Sequence, residues 1–291
     1  MFSSGCGNVS SGASAGAEKA SATWRAATPR ASAAVATPSV RRPPPGPSAQ
    51  QLVSSAVRPL ASADNDDVGV AVNDLTTGQW ASFGGNHEFI TASIAKADIL
   101  ATLLYQAQQS HGWISAGEQA LATTMIEDSD NNAATALFAD AGGPGGVDTA
   151  NKAFGLRDTT AGPSPKWGIT TTTPNDQIRL LRQIFTTPSV LSAASQAYIQ
   201  RLMRHVEPAQ AWGVPAAADS GTRFAVKNGW LPAPKLWAVN SIGSITHGGH
   251  HLLIAVMSHY NDSEGGGISV VEGVAQKAAT AVTAYRASTS G

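Results

Sequence analysis

Thr91-Ala92-Ser93-Ile94-Ala95-Lys96 opens a stretch, residues 93–109, in which Ile94, Ala97, Leu100, Ala101 and Leu104 recur at helical spacing. Ser93 and Lys96 therefore share one face of the expected helix. At a helix N-terminus the serine oxygen sits among backbone amides that lack an intrahelical partner. A neighbouring lysine whose pKa is lowered by its surroundings can take the serine proton. Read alone, Ser-x-x-Lys is short enough to arise by chance in a chain of 291 residues.

Upstream, Val68-Gly69-Val70-Ala71-Val72, continued by Asn73-Asp74-Leu75, reads as a strand. Thr76-Thr77-Gly78 is the turn and residues 79–83 the return strand of a hairpin. Downstream, helical patterns cover 116–128, 132–141, 174–185 and 192–204, with Thr171-Thr172-Thr173 as cap candidates before the third. The pattern then turns to strands at 223–228, 236–245 and 250–260, with His247-Gly248-Gly249 as the tight turn between the last two. An amphipathic helix over 269–285 closes the chain. Two strands, a helical block, three strands and a helix predict an α+β domain, an antiparallel β-sheet flanked by helices with an all-helical insertion. A cleft is expected where that block meets the sheet.

Two other segments carry chemistry. Ser129-Asp130-Asn131 lies between helical stretches, where a hydroxyl can relay a proton to a leaving amine and an amide can hold a substrate carbonyl. The same three residue types are also preferred helix caps. Lys227-Asn228-Gly229, followed by Trp230, falls on a predicted strand. There an amine can face a carboxylate, glycine allows close backbone approach, and the next amide can donate to an oxyanion. In isolation this is equally an exposed strand lysine before a turn.

In order along the chain, Ser-x-x-Lys, Ser-Asp-Asn and a variant of Lys-Thr-Gly make the region from about residue 64 onward resemble the class A β-lactamase and penicillin-binding protein superfamily. Gly142-Gly143-Pro144 and Thr172-Thr173-Pro174 add to the similarity. The resemblance implies a β-lactamase/transpeptidase-like fold and a serine hydrolase without a cofactor. It implies Ser93 as nucleophile, Lys96 as base or proton shuttle and Ser129 as proton relay. Asn131 would hold the substrate amide, and Lys227 with Asn228 and Gly229 would meet its carboxylate. The backbone amides of Ser93 and Trp230 would form the oxyanion hole. The implied substrate is a small molecule such as a β-lactam, or a peptidoglycan-like peptide.

The chain also departs from that pattern. Class A β-lactamases carry a water-activating glutamate in the loop before the position of Thr171, whereas residues 158–168 here contain none. Asp158 is expected to face solvent, so acylation without efficient turnover is expected. The segment from Lys96 to Ser129 is short for class A, which predicts a more open site, and Asn228 replaces the usual threonine or serine. The alternatives are a genuine β-lactamase using another base, an esterase, and a non-catalytic binding domain.

Composition bounds the rest. Hydrophobic residues make up 42% and charged residues 13%, with a net charge of -1, which gives no long-range pull toward nucleic acid. Residues 1–62, rich in Ala, Ser, Gly, Pro and Thr, are expected to form a disordered tether before a domain over 63–291. Cys6, the single cysteine, ends Ser3-Ser4-Gly5-Cys6, which resembles a lipobox remnant. Export, with or without a lipid anchor on the outer face of the cytoplasmic membrane, is the corresponding expectation. His247, His250 and His251 flank a hairpin tip without an adjacent acidic or cysteine ligand, so no metal site is expected. Trp167, Trp230 and Trp237 either line the cleft or pack.

Overall fold

Alternation along the strands builds two cores, one on each face of a single sheet. The computed structural model describes residues 46–61, 67–232 and 236–285. The main sheet contains β1 (Val68–Asp74), β2 (Trp80–Phe83), β5 (Ala225–Pro232), β6 (Trp237–His247) and β7 (His250–Asn261). Its order is β2-β1-β7-β6-β5, and every pairing is antiparallel. A separate two-stranded piece, β3 (Phe89–Ile90) with β4 (Thr171–Thr172), ties the segment before Ser93 to the end of the 158–170 loop.

On one face, Val70, Val72, Ile254 and Val256 pack against the closing helix α8 (Glu264–Thr283) and the first helix α1 (Ala49–Val57). On the other, Ala71, Ile242, Leu253, Ala255 and Met257 meet the helical block. That block comprises α2 (Ala95–Gln109), α3 (Ala116–Glu127), α4 (Asn131–Asp140), α5 (Gly143–Phe154), α6 (Pro174–Phe185) and α7 (Ala193–Met203). Every residue of α2 from Ala95 to Leu104 is buried, the mark of a helix enclosed on all sides. The architecture is the expected α+β arrangement, with the helical block inserted between the two halves of the sheet.

Three helices differ from the sequence expectation. The tether was expected to reach residue 62, yet α1 lies within it. Ser48 caps α1 reciprocally with Gln51, Val53 and Val57 are fully buried, and Gln50 donates to the Ser82 carbonyl. Its apolar residues fall one turn apart among Ala and Ser, too sparse a signal to stand out. Residues 1–45, with Cys6 and most of the expected tether, lie outside the described residues. The second difference is α5, hidden by Gly143-Pro144-Gly145-Gly146 in its first turn. Gly146 is required there, since a Cβ would lie 1.8 Å from the Ala141 carbonyl oxygen. The third is α8, which starts at Glu264 under a Ser263 cap rather than at 269. Its early glycines let it lie directly on β6, where a Cβ on Gly267 would meet Val239 Cγ2 at 2.4 Å.

Candidate active site

Ser93 sits in a tight 3-10 turn, Ala92–Ile94, that leads into α2. Ala92 adopts φ 48°, a left-handed conformation that costs a non-glycine residue roughly 1–2 kcal/mol. Asn240, fully buried on β6, holds this strained segment by donating Nδ2 to the carbonyls of Ile90 at 2.9 Å and Thr91 at 3.0 Å. Its Oδ1 accepts from the Ser258 amide of the neighbouring strand. From the other side β5 presses its backbone against the turn. A Cβ on Gly229 would stand 2.7 Å from the Ser93 nitrogen, so only glycine allows this approach. Trp230, whose amide was expected in the oxyanion hole, is the next residue on β5.

Lys96 is solvent-inaccessible, and its Nζ lies 2.9 Å from Ser93 Oγ and 3.0 Å from Ser129 Oγ. It also lies 2.6 Å from the Ser129 carbonyl oxygen and 2.8 Å from Asn131 Oδ1. The last two groups are only acceptors. They take two N–H donors, and a neutral amine then has its lone pair left for a serine hydroxyl. Burial drives Lys96 toward that form, pushing its pKa down from 10.5 to about 7 against the opposing pull of the Asp130 carboxylate. The indole of Trp167 covers the amine, its ring centroid 4.8 Å from Nζ, and is fixed by an Nε1–H bond to Thr135 Oγ1.

Ser129, also left-handed at φ 59°, stands between two lysines. Lys227 Nζ reaches its Oγ at 3.0 Å from the far side and also donates to the Asn228 carbonyl. Lys227 is fully buried, and that burial, with Lys96 nearby, holds its pKa well below the ordinary lysine value. Asp130 accepts from the Ala133 amide and caps α4, while Ser129 Oγ stays within reach of both lysines, so a cap and a hydroxyl open to the site coexist in one tripeptide.

The structure thus brings Ser93, Lys96, Ser129, Asn131, Lys227 and Gly229 together from three separate stretches. Asn228 is placed otherwise. Its Nδ2 donates to the carbonyls of Gln210 and Trp212, and its buried Oδ1 has no partner among the described residues. Both donors are committed and the remaining atom is an acceptor, so the side chain offers nothing to the carboxylate expected there. The physical reason is strand alternation, which turns Asn228 away from the face of Lys227 and Gly229. Asp158 is exposed, as expected. Of the three tryptophans, Trp167 lies at the amine, whereas Trp230 and Trp237 pack on the core of the opposite sheet face. Sequence reasoning missed Asn240, although an amide at an inward position of an otherwise apolar strand was a visible signal. His247 contacts the Ala217 carbonyl and His250 pairs with Asp74. No group of three or more His, Cys, Asp or Glu side chains is placed to hold a metal among the described residues.

The family profile described as the Beta-lactamase enzyme family matches residues 52–115 and 117–282. Among curated proteins, LppW of Mycobacterium tuberculosis, a lipoprotein by name, is 28% identical over 177 residues, covering 59% of this chain and 56% of that protein. LppW of Mycobacterium bovis gives the same values. The match therefore spans about half the length of these relatives. Among solved structures, PBP-A superposes with a TM-score of 0.70 at 20% identity, covering 83% of this chain and 99% of the other. A class A β-lactamase from Bacteroides cellulosilyticus gives 0.69 at 16% identity, covering 82% and 100%. At these identities the likeness extends to the fold. Among the described residues no helix is long and apolar enough to cross a membrane.

Proposed function

The chain belongs to the Beta-lactamase enzyme family, and on that premise we propose that it is a serine hydrolase that forms an acyl-enzyme on Ser93 with an amide or ester of the cell envelope. One observation carries the reading. Lys96 has two acceptors for its N–H groups, a pKa about 7, and a lone pair left within 2.9 Å of the Ser93 hydroxyl. In the acylation step the Ser93 oxygen attacks the substrate carbonyl carbon as its proton passes to Lys96 Nζ. The amides of Ser93 and Trp230 stabilise the resulting oxyanion. Collapse of the tetrahedral species breaks the carbon–nitrogen or carbon–oxygen bond, and the leaving group collects a proton through Ser129 Oγ. Lys227, bonded to that same hydroxyl, places its Nζ donors beside a carboxylate on the leaving side.

Hydrolysis of the ester needs a positioned water. The 158–168 loop has no glutamate to activate one, and Trp167 covers Lys96, so a β-lactam acyl-enzyme persists. A peptide of the envelope fits the same machinery and is the proposed natural substrate class. The lipoprotein name of the LppW relatives, together with Cys6, supports anchoring to the outer face of the cytoplasmic membrane as a further part of this proposal.

The test is intact-protein mass after incubation with a penicillin, beside a Ser93→Ala control. The expected result is an adduct of the drug's mass that outlasts removal of free drug and is missing from the control. Steady consumption of drug by adduct-free enzyme refutes slow deacylation. Drug left intact by unmodified protein refutes acylation of Ser93 by a β-lactam.

A further inference from the structure

A second cleft lies away from Ser93. It has a volume of about 460 Å³ and is bounded by the edge strand β2, the end of α5 and the exposed side of α6. Strands β2 and β5 are the two edges of the sheet. Four strand spacings therefore separate this cleft from the Lys227 edge, about 19 Å. Three of its lining residues are Arg157, Arg179 and Arg182, and none is acidic. That local excess of positive charge stands in a chain whose net charge is -1.

The guanidiniums are not equally engaged. Arg179 pairs with the buried carboxylate of Asp176, and Arg182 donates one N–H to Asn73 Oδ1 at 2.7 Å. Arg157 has its backbone amide pinned by both oxygens of Asp176, which fixes its position, while its exposed side chain makes no hydrogen bond or ion pair among the described residues and keeps its five donors. Beside them Trp80 is 36% exposed. Its Nε1–H is already bonded to Asn175 Oδ1 at 3.0 Å, so the face that remains is apolar. Planar guanidiniums take phosphate or carboxylate through paired N–H bonds, and an aromatic face takes the C–H side of a ring.

From this juxtaposition we infer that the cleft is a second ligand site, distinct from the acylation site, for an anionic sugar. Arg157 and Arg182 hold its phosphate or carboxylate, and its ring lies on Trp80. The cavity is within the size range of small-molecule sites and admits one or two rings. Attraction between exposed charges makes the binding weaken as salt is raised.

The experiment uses the full ¹⁵N-labelled chain, with the Trp80 indole N–H signal identified through Trp80→Phe. The probes are inorganic phosphate, glucose 6-phosphate, glucuronate and glucose. Glucose 6-phosphate or glucuronate should shift the signal saturably and bind about tenfold more tightly than inorganic phosphate, and glucose alone should leave it unmoved. The tighter of the two sugars identifies the anion. Arg157→Gln should weaken binding at least about fivefold and leave penicillin adduct formation on Ser93 unchanged. Absence of a saturable shift with every anion overturns the site. So does binding that survives both Arg157→Gln and the Arg157→Gln/Arg182→Gln pair. Equal affinity for phosphate and its sugar ester overturns the role of Trp80 and the sugar with it.

Discussion

Asp130→Asn separates charge from structure at the proposed base. Asparagine caps a helix as well as aspartate does, so the bond from the Ala133 amide survives and α4 keeps its first turn. What disappears is the carboxylate that favours protonated Lys96. Acylation requires the free amine, so its rate follows the free-base fraction, about one-eleventh at pH 6 for a pKa of about 7. Loss of one nearby charge in a partly wet site is worth about 1 kcal/mol, which raises that fraction at pH 6 about fourfold. At pH 8 the amine is already largely free, and the same change moves the rate by about a tenth. The measurement is the rate of penicillin adduct formation from pH 5.5 to 8.5 in both proteins. Faster acylation at pH 6 with parity at pH 8 is the expected outcome. A variant slower at every pH, or profiles that superimpose, refutes the assignment of Lys96 as the titrating base.

Other consequences are equally direct. Lys96 has a folded pKa of about 7 and an unfolded one near 10.5, so the unfolded chain binds the extra proton between these values and stability rises with pH across that window. Lys96→Met should reduce this slope, seen as a smaller difference in Tm between pH 7 and pH 9, and should abolish the penicillin adduct. Gly229→Ala drives a methyl group into the Ser93 and Ile94 amides and should slow adduct formation more than about 100-fold, with a stability loss of about 1–3 kcal/mol in urea titration. Val53→Ala in α1 should cost about 1–3 kcal/mol by the same titration. A change within error would mean that α1 does not belong to the folded domain.

The sheet and most helices were legible because their signals are local. The β1–β2 hairpin shows as a period-two run into a turn, and α6 shows as an apolar stripe behind Thr173 and Pro174. The elements that escaped, α1, α5 and the start of α8, are rich in alanine, serine or glycine. In α1 the apolar stripe is short, and in α5 and α8 glycines that permit close backbone approach interrupt the helical signal. In the site, Ser93, Lys96, Ser129 and Lys227 were legible through their motifs. Asn228 and Asn240 show what such motifs omit. Adjacent residues on a strand face opposite ways, so Asn228 cannot join Lys227, and Asn240 acts on a turn 149 residues away in sequence.

The pairing of β1 with β7 also bears on how the domain comes into being. Val68–Asp74 finds its inner partner only in residues 252–258, with the whole helical block between them. Contacts of such long sequence separation form slowly, because the intervening chain must be closed into a loop before they are made. The candidate site depends on the same late segments, since Lys227, Gly229 and Asn240 all lie beyond residue 224. During synthesis from the N-terminus, Ser93 and Lys96 emerge long before the strands that shape them. A chain stopped short of β7 has an unpaired edge on β1 and no second half of the sheet. The candidate site is therefore among the last parts of the domain to take shape, complete only once the late strands have docked.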